Sequence, residues 1–496
     1  MPASMTEKSL PLSNRRFQLQ RAAGLFRALL KNRMAALGLM MLIISSVVAV
    51  TAPWLAPFPA IKTVAGPQAQ PEWVMNFPDG YYLSRNLQAV SDPTFSTPGP
   101  AQELRTVGSS TALSNVLFSY APGVGEAAYK GSVEFTHPSQ GVDTVTLSRT
   151  FHYPYHGPPS SFLATIIFMA QGASPSQPIH MRVFVAQVGG LSFNLWSDDI
   201  TTSGQWAAPS YQLLSSTDQV LTMTGTRTAA FSLAAIVFSA VQDYTYGVEL
   251  TFHGAQQVNI TNFQLNLAGT AWGLLGTDAG GNDLLSRDII GATSSMIVGL
   301  TAAALGVGLG LIIGLIAGLL GGLMDEFLMR LTDVFLTIPF LPLAIILVVI
   351  LTPSELTIVM IIAFFSWMGF ARVIRSQVLS LRERPFIEAA RAAGAGNGRI
   401  LSKHLFPNLV GLTYVNLALS VPGAIITYAA LSFLGLGDPT VISWGSILSE
   451  NFAVSAETSW WWVIPPGLAI AFVSLSFVLL GYALDEMFNP KLRKRR

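Results

Sequence analysis

Long apolar runs without charges alternate with polar segments along the chain. The first run covers residues 34–56, and five more follow beyond the middle of the chain. A helix needs about 20 apolar residues to cross a bilayer, and each run has roughly that length. The pattern therefore predicts a polytopic α-helical membrane protein with six transmembrane helices. The five later runs lie at roughly 291–320, 334–352, 356–378, 409–436 and 463–484.

The composition agrees with this pattern. Hydrophobic residues make up 51% of the chain and charged residues only 11%, which is the balance of a polytopic membrane protein. The first run has one alternative interpretation, a cleaved signal peptide. It is long for a signal peptide and has no clear small-residue cleavage site, so a transmembrane helix is favoured.

The segment between the first and second runs has a different pattern. It is rich in Ser, Thr, Gly, Pro and Gln, and stretches such as 142–148, 181–186 and 246–252 alternate apolar and polar positions. Period-two alternation between turn residues predicts antiparallel strands. We therefore expect residues 57–275 to be an insertion between the first two helices, with a β-sandwich-like core at about 100–270.

Three basic segments indicate the orientation. They are the N-terminus 1–33, the loop 382–408 within the five-helix part 291–485, and the tail 486–496. With six transmembrane helices all three fall on one side of the membrane, and the positive-inside rule makes that side the cytoplasm. We expect a multi-pass protein of the cell inner or plasma membrane. Both termini are expected in the cytoplasm and the β-rich insertion outside it.

Several kinds of chemistry are not indicated. The chain has no cysteine, which excludes disulfides, Cys-ligated zinc and thiol catalysis. Its six histidines lack metal-ligand spacing. The stretch 278–283 lacks the spaced acidic ligands of an EF-hand, so a Gly-rich turn is favoured over a calcium loop. There is no Gly-x-x-x-x-Gly-Lys-Ser/Thr phosphate loop. We expect a non-enzymatic chain that holds no metal or cofactor and binds no nucleic acid.

The apolar run at 291–320 begins a series of glycines spaced four residues apart. This spacing places them on one face of a helix. A face without side chains lets another helix approach closely. Two interpretations stay open, tight packing inside this chain and an interface with another subunit. The glycines are Gly306, Gly310, Gly314, Gly318 and Gly322.

The basic loop 382–408 begins with the pattern of a short amphipathic helix. Pro385 suits a first helical position, because its missing amide hydrogen is not needed there. Four apolar side chains follow at i, i+3, i+4 and i+7, which places them on one face. We expect this face to contact a protein partner, and an ordinary interfacial helix on the membrane is the alternative. The four residues are Phe386, Ala389, Ala390 and Ala393.

Glycines and a proline divide the rest of this loop. Gly394, Gly396 and Gly398 break the first helix. A second short helix can form at 400–406, and it is expected to stop before Pro407. The loop is therefore expected to be a helix–turn–helix that lies parallel to the membrane surface.

The same loop carries a family motif. Glu388-Ala-Ala is followed after three residues by Gly394, and after nine more by His404-Leu-Phe-Pro407. This spacing resembles the EAA loop of ABC importer permeases. Those permeases usually end the motif with Ile-x-Leu-Pro, and the phenylalanine here keeps an apolar residue before the proline.

Other segments resemble the C-type permease subunits of dipeptide and oligopeptide importers. Residues 275–287 are similar to the segment before the second helix of those subunits, with Asn282 where an arginine is usual. Residues 321–333 and 431–437 match as well. The large insertion has no counterpart that is recognised in typical members.

This resemblance implies a type I ABC transmembrane fold and an ATP-driven importer of peptides. The implied partners are a homologous second permease, two ABC ATPase subunits that bind ATP and Mg²⁺, an extracytoplasmic solute-binding protein, the lipid membrane and a peptide substrate. Nickel complexes or another small solute are alternative cargoes. A membrane-anchored recognition protein that acts through its β domain is an alternative function. The residues implied in ATPase contact are Glu388, Ala389, Ala390, Gly394, His404 and Pro407.

Overall fold

The structure is a computed structural model, and it describes residues 32–126, 129–209, 213–214, 233–454 and 459–488. The chain divides into two compact units. The β unit is Ile61–Leu284, and the helical unit combines Met1–Ala60 with Leu285–Arg496. Most of the basic segments predicted at 1–33 and 486–496 lies outside the described residues.

The β unit follows helix α1 (Arg33–Leu55) of the helical unit. The β unit has three described short α-helices, α2 (Pro98–Glu103), α3 (Ser110–Asn115) and α4 (Leu233–Val237). Its described strands are β1 (Leu87–Gln88), β2 (Arg105–Gly108), β3 (Leu117–Pro122), β4 (Gly131–His137), β5 (Asp143–Tyr153), β6 (Ser161–Gln171), β7 (Ile179–Gln187), β8 (Ser192–Ile200), β9 (Trp206–Ala207), β10 (Leu213–Leu214), β11 (Gln242–Phe252) and β12 (Gln256–Ala268).

These strands form two antiparallel sheets. One sheet has the order β10-β6-β12-β4-β3, with β1 beside β12 and β9 beside β6. The other has the order β2-β5-β11-β7-β8. The three alternating stretches of the sequence fall in β5, β7 and β11, which are neighbours, and Val248 lies opposite both Leu147 and Val183. The predicted β-rich insertion is confirmed.

The core of the β unit follows from side-chain alternation. In β6 every second residue is buried, including Phe162, Ile166 and Phe168. They belong to one apolar cluster with Val145 and Val183 of the other sheet. Successive side chains of a strand point to opposite faces, so each sheet contributes one apolar face to a shared interior.

The two ends of the β unit pair with each other. Thr63 bridges to Asn282 and Gln70 to Ala271. The Asp278 carboxylate accepts hydrogen bonds from the amides of Gly280 and Asn282, at 2.8 and 2.9 Å. This stretch is therefore a turn closed on itself. No group of three or more metal-ligating side chains occurs among the described residues.

The helical unit contains most of the apolar helices. Its remaining described helices are α5 (Leu284–Leu320), α6 (Gly322–Thr337), α7 (Phe340–Leu351), α8 (Glu355–Arg382), α9 (Pro385–Ala392), α10 (Asn397–Ile400), α11 (Phe406–Phe433), α12 (Trp444–Ala453) and α13 (Trp460–Phe488). Five described helices are long and apolar enough to cross a membrane, or six segments if a bent pair counts as one. The predicted polytopic class is confirmed.

The bent pair corrects one predicted helix. A continuous span was expected at 334–352, but α6 and α7 meet at 89°. Ile338 is extended, with φ −77° and ψ 127°, and Pro339 is the N-cap residue of the next helix. A residue before proline avoids the helical region, which explains why α6 ends there. The apolar part that remains, α7, has only 12 residues.

Candidate functional site

Helix α9 of the basic loop 382–408 has defined ends. Pro385 occupies its first turn. At the other end the amide of Gly394 donates to the carbonyl of Arg391 (2.9 Å), and the amide of Ala395 donates to that of Ala390 (3.0 Å). These two bonds form a Schellman motif, which requires a left-handed residue. Gly394 supplies it with φ +81°, so the glycine is the structural stop of the helix.

One side chain anchors α9 to the rest of the helical unit. Ile387 is fully buried in an apolar cluster that includes Ile374 and Val378 of α8. Ile400 and Leu405, from the second half of the loop, enter the same cluster. Both halves of the loop are therefore held by a shared core. The sequence signal for this inward face was Ile387, followed three positions later by the small residue Ala390. The predicted apolar face did not include Ile387.

The rest of α9 is open to its surroundings. Phe386, Glu388, Ala389 and Ala393 are exposed, whereas Ala390 is half-buried. The predicted apolar face is thus divided, because Ala390 lies one turn from Ile387 on the inward side. A side chain added at Gly394 would meet nothing within 4 Å. The exposed part of α9 combines small residues with the Glu388 carboxylate, the Phe386 ring and the Arg391 guanidinium group.

His404 and Pro407 lie on the second half of the loop. The half-exposed His404 ring stands 6.4 Å from the ring of Phe386, measured between centroids. This contact joins the predicted apolar face of α9 to a predicted site residue in the second half of the loop. Pro407 is exposed, and its part in the helix differs from the prediction.

The helix expected at 400–406 does not stop before Pro407. It passes through a π turn at Leu401–Leu405 into α11, so that the helical path runs from Asn397 to Phe433. The amide of Phe406 donates to the carbonyl of Leu401. The Asn408 side chain donates to the carbonyl of His404 at 2.6 Å. Because a π turn is wider than an α turn, it accommodates the ring that would otherwise break the helix.

The spaced glycines lie between α5 and α8 of this same chain. A side chain at Gly310 would fall 2.6 Å from the carbonyl oxygen of Trp367, and one at Gly314 would fall 2.6 Å from that of Ala371. A side chain at Gly318 would fall 2.7 Å from the Cβ of Val378, and one at Gly306 would meet the side chain of Ser366. The two backbones are therefore as close as glycine allows. Gly322 departs from the predicted series because α5 ends at Leu320.

Ion pairs between distant segments were not predicted. Arg287, whose side chain is only 8% exposed, donates twice to Glu450 at 2.6 Å. Arg375 donates to Asp325 at 2.5 and 2.6 Å, and Arg372 pairs with Asp333. These pairs tie α12 to α5 and α6 to α8. The partners are 39 to 163 positions apart, so no local pattern reveals them.

Long apolar helices, a bent helix pair and a capped exposed helix between two of them define a multi-pass membrane protein. The chain belongs to the family of binding-protein-dependent transport system inner membrane components, whose model matches residues 310–494. The model for the N-terminal TM domain of oligopeptide transport permease C matches residues 19–71. The predicted family and its fold class are confirmed. Most of the β unit lies between the two matches.

Curated relatives agree with this assignment. The oligopeptide transport system permease protein OppC of Bacillus subtilis is 37% identical over 220 residues, which are 44% of this chain and 72% of that protein. OppC of Salmonella typhimurium is 41% identical over 219 residues, with the same coverage. The dipeptide transport system permease protein DppC of Bacillus subtilis is 34% identical over 249 residues, 50% of this chain and 77% of that protein.

Proposed function

We propose that this chain is the permease subunit of an ATP-driven importer of dipeptides or oligopeptides. It forms half of the translocation pore, and a homologous second permease forms the other half. ATP and Mg²⁺ are bound by two separate ATPase subunits, and an extracytoplasmic solute-binding protein delivers the peptide. The names of the relatives support peptides as the cargo, because they describe permeases for oligopeptide or dipeptide transport.

The proposed orientation places α9 in the cytoplasm. The loop between α8 and α11 carries Arg384, Arg391, Arg399 and Lys403. Basic residues next to membrane-spanning helices favour the cytoplasmic side. The β unit follows α1, the first proposed transmembrane helix, so it is proposed to lie on the opposite side of the membrane. With six spans, both termini are then cytoplasmic.

The observation that carries the proposal is the contrast between the two sides of α9. Its Ile387 side is fixed in a core that includes α5 and α8, while its Ala389 side is exposed. A helix held in this way transmits movement to the transmembrane helices. Coupling also requires that the seated helix bind two states of the ATPase with different free energies. Glu388, Ala389 and Gly394 are the proposed contact.

Co-purification and transport together test this function. The chain should be expressed with its neighbouring transporter genes, purified through a tag on this chain, and reconstituted with labelled peptides. We expect an ATPase and a second permease to co-purify, and ATP to drive peptide uptake. A membrane-anchored recognition protein would bring no ATPase, and an importer of another solute would bring the ATPase without peptide uptake. Either result contradicts the proposal.

Two matched variants test the role of α9. Gly394→Trp adds bulk to the proposed ATPase contact, and Gly204→Trp is its control in the β unit. Both glycines have φ +81° and open space around the added side chain. We expect Gly394→Trp to reduce uptake at least tenfold while Gly204→Trp stays within twofold of the unsubstituted protein. Equal uptake by the two variants would remove α9 from the mechanism.

A further inference from the structure

A cavity of about 280 Å³ lies within the helical unit, between α5, α7, α8 and α11. Ser366, Ser420 and Thr427 line it, together with Phe340 and Phe365. None of its ten described lining residues is charged. The volume lies just below the usual range for small-molecule sites, which is about 300–1,000 Å³.

The cavity lies near the middle of α8 and α11. At a rise of 1.5 Å per residue, Ser366 is about 17 Å along α8, a helix about 42 Å long, and Ser420 is about 21 Å along α11, which has the same length. Ser366 is exposed, and Ser420 and Thr427 are half-exposed. Polar side chains at this depth rarely face lipid, because hydrocarbon offers them no hydrogen-bond partner. The cavity therefore opens towards protein or water.

The hydrogen bonding of the cavity suits an uncharged polar ligand. The Ser366 hydroxyl donates to the carbonyl of Ala363 at 3.2 Å, which leaves its lone pairs available to accept. Phe340 and Phe365 meet edge to face, with 5.5 Å between their centroids, and form an apolar wall beside the hydroxyls. Such a site offers hydrogen bonds to amide groups and apolar contact to side chains of many kinds.

We propose that this cavity is the part of the translocation path where this subunit contacts the peptide backbone. The proposal rests on the proposed peptide import. The hydroxyls of Ser366, Ser420 and Thr427 bind backbone amides and carbonyls in passing, and the aromatic wall contacts side chains. Because the lining is neutral, acidic, basic and neutral peptides pass it with similar ease.

A peptide fits this cavity better than a packed helix of the second permease. Interfaces between transmembrane helices are close-packed and need no cavity. Gly423 of α11 borders the cavity, and a side chain there would meet nothing within 4 Å. In contrast, the glycines between α5 and α8 leave no such space. The chain therefore leaves room at this face for an occupant that is not part of it.

A bulky substitution tests the cavity in the complete importer. Gly423→Trp fills it, and Gly467→Trp of α13 is the control, because that glycine is also exposed with nothing within 4 Å of an added side chain. We expect Gly423→Trp to lower ATP-driven peptide uptake at least tenfold with all subunits still co-purifying, and the control to stay within twofold. Unchanged uptake by Gly423→Trp overturns the inference but leaves the importer assignment intact. Loss of the second permease from the complex also overturns it, because the cavity would then be a subunit interface.

A labelling experiment covers the case in which the bulky variant does not fold. This chain has no cysteine, so Ser420→Cys introduces a single thiol into the cavity. A bromoacetylated peptide should alkylate it during ATP turnover, and an excess of unlabelled peptide should suppress the adduct. Gly467→Cys should give no peptide-suppressed adduct. Equal adducts at both positions, or none at Ser420→Cys while uptake proceeds, would contradict a peptide site. Absence of uptake by the unsubstituted importer would instead contradict peptide import itself.

Discussion

Two sets of glycines in the helical unit differ in what surrounds them. Between α5 and α8, a side chain at Gly310, Gly314 or Gly318 would lie within 2.7 Å of the neighbouring helix. In the loop after α8, a side chain at Gly394 or Gly396 would meet nothing within 4 Å. The first set brings two helices together, and the second leaves a surface uncovered.

This difference separates a contact that forms within the chain from a surface that the chain leaves uncovered. The α5–α8 contact has both of its sides within one chain, so its glycines serve packing. The α9 surface has one side here, anchored by Ile387, and its other side is open. An exposed surface that is anchored on its inward side and combines small residues with charged and aromatic ones suits a partner protein. Spacing alone does not separate the two cases.

The largest expected effect comes from adding a side chain at one of the glycines between α5 and α8. Gly310→Leu places a side chain against the Trp367 carbonyl, so α5 and α8 must separate. Overpacking of this kind typically costs about 1–3 kcal/mol of unfolding free energy, and we expect the upper end because the obstacle is backbone. Gly308→Leu is the control on the same helix, since nothing lies within 4 Å of Gly308. Thermal unfolding in detergent should show a lowered midpoint for Gly310→Leu only, and equal midpoints would contradict the contrast.

The next effect comes from removing the anchor of α9. Ile387→Ala deletes a fully buried side chain, and such changes cost about 2–5 kcal/mol; we expect the lower end, because the short exposed helix can close over the space. The loss should appear as local opening, so amide hydrogen exchange in α9 should accelerate more than tenfold, since about 1.4 kcal/mol corresponds to a factor of ten. Phe386→Ala is the neighbouring control, because that ring is 44% exposed. Similar exchange in both variants would mean that Ile387 does not hold the loop.

A smaller effect is expected from the backbone of Gly394. In Gly394→Ala the left-handed conformation is retained at a cost of about 1–2 kcal/mol, and Gly394→Asn should cost less because asparagine tolerates that region. Gly396→Ala should cost less than Gly394→Ala, since Gly396 has φ −72°, a value that alanine adopts without strain. Hydrogen exchange of the amides that close the Schellman motif distinguishes these variants. If Gly396→Ala loosened the loop as much as Gly394→Ala, the cap would not be what ends α9.

Much of this architecture could be predicted from the sequence, because it depends on local patterns. Alternation identified β5, β7 and β11, and apolar length identified five long helices. The loop was located by its glycines and Pro385. These features depend on residues a few positions apart, which is the range over which side-chain periodicity acts.

The features that the sequence did not reveal depend on tertiary contacts. Pro407 was expected to end a helix, yet a π turn carries the helix through it. Ile387 was not placed on the inward face of α9, because its partners lie on other helices. The pair between Arg287 and Glu450 joins segments 163 positions apart. The bend after Ile338 was missed because the apolar run continues across Pro339.

The most direct test of the account is the accessibility of Ala389. Ala389→Cys creates the single thiol of a cysteine-free chain, on the exposed side of α9. We predict that a thiol-reactive probe labels it rapidly in the isolated chain and at least tenfold more slowly in the ATPase-bound complex, while Val188→Cys, an exposed position of the β unit, is labelled equally in both. Equal labelling of Ala389→Cys in the two states would show that α9 is not the surface that the ATPase covers.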